Sequence, residues 1–166
     1  MKPLSFILEG KSYSFNPERD FKARSVGIIS ACRGGLSYEE NASRSESLYN
    51  DLKKAGHHIV RAQGSYTENY GKPDAKDVGE TSFIAMHPHR GDDKGYLFDS
   101  LNKLGQKYDQ DSILHKPHNS ESADLVGTNE SGYPGKGKRE PQGSVKMEKG
   151  EFFTKLEDGR TFSFKH

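Results

Sequence analysis

The chain has 166 residues, of which 31% are hydrophobic and 30% charged, and its 25 Lys and Arg against 24 Asp and Glu leave a net charge of +1. That length fits one domain, and the balanced charge argues against a nucleic-acid binder with its basic excess and against an acidic DNA mimic. No apolar run approaches the ~20 residues that span a bilayer, the stretch Met1–Phe6 is too short for a signal peptide, and a lone cysteine, Cys32, points to a reducing cytosol.

Taken in chain order, residues 4–15 alternate and turn at Glu9-Gly10, which predicts an accessory hairpin within residues 1–20. Ser25–Ala31 reads as a buried strand. Ser37 and Glu40 have capping-box spacing, and Leu48, Leu52 and Ala55 stripe the helix that follows, up to Gly56. His57–Gly64 predicts a second strand, residues 67–79 a loop with Gly71, Pro73 and Gly79, and Glu80–His87 a third strand. Leu97, Leu101, Leu104 and Tyr108 fall on one face of a second helix, and Asp111–Lys116 predicts a fourth strand. Residues 117–150 show no convincing element and read as a long loop, disordered or folded over a site. The C-terminal stretch 151–166 repeats the hairpin design, turning at Asp158-Gly159.

The order β-α-β-β-α-β over residues 25–116 predicts an α+β fold: a ferredoxin-like sandwich with extra N- and C-terminal hairpins. The thin apolar supply predicts either a small core with long polar loops or surface shared with copies of the same chain. RNA recognition by such a fold needs stacking aromatics on the central strands. Val26–Ala31 has none and Glu80–His87 offers only Phe83. His87 and His89 alternate as zinc ligands can, but Pro88 disturbs the geometry and no third ligand follows at a known spacing, so no metal is expected. Cys32 has no evident partner base and reads as a small packed residue. Gly34-Gly35 before a helix suits either an anion site or a tight connection.

Several short motifs, in order, resemble one family. They are Ser30-Ala31-Cys32-Arg33, Glu40-Asn41-Ala42-Ser43-Arg44, Gly64-Ser65-Tyr66-Thr67-Glu68, Glu80, Gln110-Asp111-Ser112-Ile113-Leu114, Asp124-Leu125-Val126 and Gly132-Tyr133. Together they resemble the S-adenosylmethionine (SAM) lyases of short-tailed bacteriophages, long called SAM hydrolases. Residues 1–20 are additional to that pattern, and the loop from Tyr66 to Glu80 is longer.

The resemblance implies ferredoxin-like subunits in a homotrimer, with the substrate between subunits, acting in the host cytoplasm without a cofactor. It implies that Glu80 and Tyr66 are catalytic and that Ser30, Arg33, Asn41, Arg44, Gln110 and Asp111 bind substrate. The implied reaction is attack of the SAM carboxylate on its own Cγ. It gives homoserine lactone and 5′-methylthioadenosine and deprives host restriction systems of their cofactor. Two alternatives stand beside it: a hydrolase with Glu80 as general base, and a non-enzymatic phage protein that binds a host enzyme.

Overall fold

The computed structural model describes residues 15–166, which form three helices and eight strands. In chain order these are α1 (Pro17–Ala23), β1 (Val26–Ile29), α2 (Tyr38–Lys54), β2 (His58–Glu68), β3 (Lys76–Met86), α3 (Tyr96–Lys107), β4 (Ser112–Lys116), β5 (Ala123–Gly127), β6 (Arg139–Lys146), β7 (Phe152–Leu156) and β8 (Thr161–Lys165). The expected capping box opens α2: Ser37 Oγ accepts from Glu40 N at 3.0 Å, and Glu40 Oε1 accepts from Ser37 N at 3.2 Å. At α3 the N-cap is Gly95, and Asp93 two residues earlier takes up a free helix N–H, its carboxylate accepting from Leu97 N at 2.9 Å.

The ferredoxin-like sandwich is not the fold. The β-α-β-β-α-β succession runs from β1 to β4, but its sheet continues into a closed barrel in the order β1-β3-β2-β7-β8-β6-β5-β4. In an open sandwich β2 and β4 would be edges, with rows of unpaired backbone groups. Here β2 pairs with β7 and β4 with β5, both antiparallel, and β6 and β8 close the circuit. Residues 117–150, expected as a loop, therefore supply two of the closing strands. The C-terminal hairpin forms as β7 and β8. The N-terminal hairpin expectation lies outside the described residues except at its end, where Pro17–Asp20 begin a helix. Asn16 caps that helix by accepting from Arg19 N at 3.0 Å, and Pro17 occupies its first turn.

Strand alternation divides the apolar residues into two cores. On the outer face Leu48 and Leu52 of α2 and Leu97 and Leu101 of α3 pack on Ile29, Phe83, Ala85 and Ile113. The other parity forms the barrel interior: Val26, Val60, Ile84, Met86, Leu156 and Phe162 meet Phe15 and Phe21 from the α1 segment. Phe21 lies 5.6 Å from the ring of Phe162 and 5.2 Å from that of Phe164, so α1 plugs the barrel with an aromatic cluster.

Candidate active site

The inner wall changes character along its strands. Register aligns Ile84 of β3 with Val60 of β2 and Ile28 of β1, and Ile28 with Leu114 of β4. This apolar level is the floor. One step of two residues further along, Ser82 lies opposite Ala62, and Ser30 and Ser112 follow Ile28 and Leu114 on their strands. A further step brings Glu80 opposite Gly64, and Gly64 opposite Thr154. Small residues at 62, 64 and 82 leave this end hollow.

Two cavities meet there. A chamber of about 1320 Å³ is lined by Ser30, Gly64, Glu80, Ser82 and Ser112 over Ile28, Leu114 and Phe162. A cleft of about 680 Å³ outside the barrel wall is lined by Tyr38, Asn41, Arg61, Gln63, Lys155 and Glu157. Cys32, Arg33, Gly34 and Glu80 line both. Glu80 thus stands at the junction. Its side chain is exposed, yet the neighbouring walls partly desolvate its carboxyl and raise its pKa above the usual glutamate value, opposed by a hydrogen bond with Ser30. Ser30 Oγ also donates to Thr81 O at 2.9 Å and accepts from Cys32 N at 3.0 Å, which fixes the hydroxyl to the wall.

The other residues singled out by sequence mostly hold the loop after β1. Asn41 Oδ1 accepts from Arg33 N at 2.9 Å while its Nδ2 donates to Arg33 O at 3.1 Å. Gln110 Nε2 donates to Cys32 O at 3.2 Å and to Tyr108 O at 3.1 Å. Arg44 Nε donates to Ala31 O at 2.7 Å, and its Nη2 also donates to Tyr108 O. Arg33 Nη1 donates to Asp109 O at 2.6 Å and to Asp111 Oδ1 at 3.3 Å. Asp111 also accepts from Asn129 Nδ2 at 3.0 Å, and a Cβ on Gly132 would come within 2.2 Å of Asp111 Cγ, so glycine is required at that approach. Arg33, Asn41, Gln110 and Asp111 line the cavities with polar groups already bonded to the scaffold. Arg44 lines neither cavity. The backbone of Tyr66 pairs with Val78 and Phe152, two residues past Gly64.

A family model for S-adenosylmethionine lyases matches residues 27–165. The chain belongs to the S-adenosylmethionine lyase family. It is therefore a SAM-degrading enzyme, with SAM as its substrate. The match runs from the second residue of β1 to the last of β8, so it covers the barrel and leaves α1 outside. A search of curated proteins returned no match.

In the SAM lyase the histidines are elsewhere than the site. None lines the chamber or the cleft. His57 and His115 are buried, and burial pushes both pKa values down to about 4. The rings of His87 and His89 lie 5.5 Å apart, and the described residues contain no group of three or more His, Cys, Asp or Glu placed to hold a metal. No helix among the described residues is long and apolar enough to cross a membrane. Sequence reasoning missed Ser82 and Thr154, and it gave no role to Gly64 and Ser112, which lie inside two of the matched motifs. The available signal was alternation: Glu80, Ser82, Ile84 and Met86 share a face, but the unbroken run Phe83–Met86 obscured it.

Proposed function

We propose that the enzyme cleaves SAM by internal substitution, with Glu80 as the group that fixes the methionine end of the substrate. An oxygen of the substrate carboxylate bonds to Cγ, the Cγ–S bond breaks, and its electron pair stays on sulfur and neutralises the sulfonium. Homoserine lactone retains the ammonium, and 5′-methylthioadenosine leaves neutral. No proton moves and no water enters. The protein's task is to fold the methionine chain so that carboxylate and Cγ meet, for which effective molarity is worth ~7–11 kcal/mol.

The observation that carries this reading is the position of Glu80, a carboxylate at the junction of two cavities and partly desolvated by their walls. A carboxylate in such a setting gains from pairing with the substrate ammonium, which offsets its own desolvation. Tyr66 is proposed to help hold the methionine moiety, through a hydrogen bond or by π contact with a cation. Ser30 keeps the Glu80 carboxyl in place. Arg33, Asn41, Arg44, Gln110 and Asp111 act by holding the loop that walls the site.

The raised pKa of Glu80 also suits the hydrolase reading, in which Glu80 takes a proton from water. Solvent oxygen separates the two. In water enriched with oxygen-18, internal attack leaves the homoserine hydroxyl unlabelled, shows lactone at early times, and places label in the acid group when the lactone opens at its carbonyl. Label predominantly in the hydroxyl, without early lactone, would overturn the lyase chemistry. A homotrimer with the site between subunits, no cofactor, action in the host cytoplasm and removal of the cofactor of host restriction systems complete the proposal.

A further inference from the structure

The chamber holds one polar group that has no hydrogen-bond partner among the described residues. Ser82 is 4% exposed, and its Oγ is buried with no hydrogen-bond partner. It lines the chamber. An unmet buried hydroxyl costs free energy, and an apolar or glycine residue at this inward position would avoid that cost. The space beside it is open because position 64 lacks a side chain: a Cβ there would stand 3.6 Å from Ser82 Oγ.

Ser82 is not isolated in height. Ile29 pairs with Phe83, so Ser30 comes level with Ser82 on the next strand. Ile28 pairs with Leu114, so Ser112 comes level with Ser30 on the strand beyond. Three neighbouring strands therefore present hydroxyls at one level, above Ile28, Leu114 and Phe162 and one step of about 7 Å below Glu80. Between Glu80 and the floor, the inward side chains of β2, β3, β1 and β4 are uncharged.

We infer that this hydroxyl level binds the sugar diol of the nucleoside half of the substrate, with Ser82 as a substrate-binding residue. A diol both donates and accepts and so matches serine hydroxyls, whereas the chamber's cations, Arg33, Lys149 and Lys165, stand on other segments of the lining. The substrate then enters base first. The purine rests on the apolar floor, the sugar lies at the serine level, and the sulfonium and amino-acid end reach Glu80 at the junction. This polarity of entry also lets the small polar product leave from the mouth.

The inference rests on the proposed SAM cleavage, and its test keeps the two apart. Binding of 5′-methylthioadenosine and of its 2′-deoxy and 3′-deoxy analogues is measured by calorimetry on wild type, Ser82→Ala and Ser112→Ala, alongside SAM turnover. In wild type, one deoxy analogue binds about tenfold more weakly than the parent, as loss of one hydrogen bond gives. In Ser82→Ala the parent itself binds about tenfold more weakly and the same deoxy analogue loses less than about twofold more. For SAM, Ser82→Ala raises KM with little change in kcat, because the contact is made equally in ground and transition states. Unchanged nucleoside binding in both serine variants, with wild type still cleaving SAM, would overturn the sugar site and leave the cleavage standing. A wild type that neither binds the nucleoside nor cleaves SAM would overturn both.

Discussion

At the scale of single residues, the site depends on one carboxylate whose surroundings work against its charge. Desolvation raises the Glu80 pKa and the Ser30 hydrogen bond only partly offsets it. If the ionised form holds the substrate ammonium, kcat/KM falls as pH drops through that raised pKa. The acid limb then lies above the usual glutamate value of 4.5. Glu80→Gln keeps the shape and removes the charge that pairs with the ammonium, so kcat/KM is expected to drop by about two to three orders of magnitude, with the acid limb lost and the circular dichroism spectrum unchanged. Near-normal turnover in Glu80→Gln would remove Glu80 from the site. Residue types at the site were only partly legible in sequence. Glu80 was reached through family resemblance, since a carboxylate at the start of a strand is otherwise unremarked. Ser82 and Ser112 were given no role, because a serine within an apolar strand carries no mark of which face it occupies until register is known. Asn41, Gln110 and Asp111 were found for their motifs, and their hydrogen bonds assign them to the walls of the site.

At the scale of elements, α1 has the most surprising place. The sequence marks it plainly, with Asn16 as cap, Pro17 in the first turn and Glu18 and Asp20 after it, but alternation in residues 4–15 drew the reading toward a hairpin. Phe21 fills the apolar end of the barrel among Phe15, Phe162 and Phe164. Phe21→Ala is expected to lower unfolding free energy by about 3–5 kcal/mol, read as a lower urea midpoint. Glu80 lies at the other end of the inner wall, so kcat at 15 °C is expected to stay within about twofold while the variant remains folded, whereas KM is expected to rise because Phe162 and Phe164, which pack on Phe21, line the chamber. A large loss of kcat without loss of stability would show that α1 shapes the site. β2 and β3 were legible only where both faces are covered. Phe83 and Ala85 meet the helices and Ile84 and Met86 the interior, giving an apolar run. Their extension through Glu68 and Lys76 runs up to Gly71, Pro73 and Gly79 among charged residues, so it read as loop.

At the scale of the whole molecule, closure of the barrel is what the sequence did not disclose, and it bears on assembly. β6 contains Pro141 and Gly143, which ordinarily argue against a strand. Yet Gly143 has φ +86°, and a Cβ there would stand 2.2 Å from Lys165 O, so the glycine permits the bulged strand to reach β8. Closure pairs most of the strand edges and leaves β3 open on one side only before Phe83. Association then rests mainly on side-chain surfaces, and exposed aromatics stand at both cavities: Tyr38 at the cleft, and Tyr70 and Tyr133 at the chamber. A trimer that covers these mouths would shield Glu80 from water and give internal attack its advantage over hydrolysis. Light scattering is therefore expected to give three times the 18.6 kDa of one chain. Specific activity is expected to fall on dilution below the concentration at which the trimer dissociates, since each site would be completed by a neighbour. A monomer at micromolar concentration with full specific activity would show that one barrel binds and cleaves SAM alone, and that the exposed tyrosines serve the substrate directly.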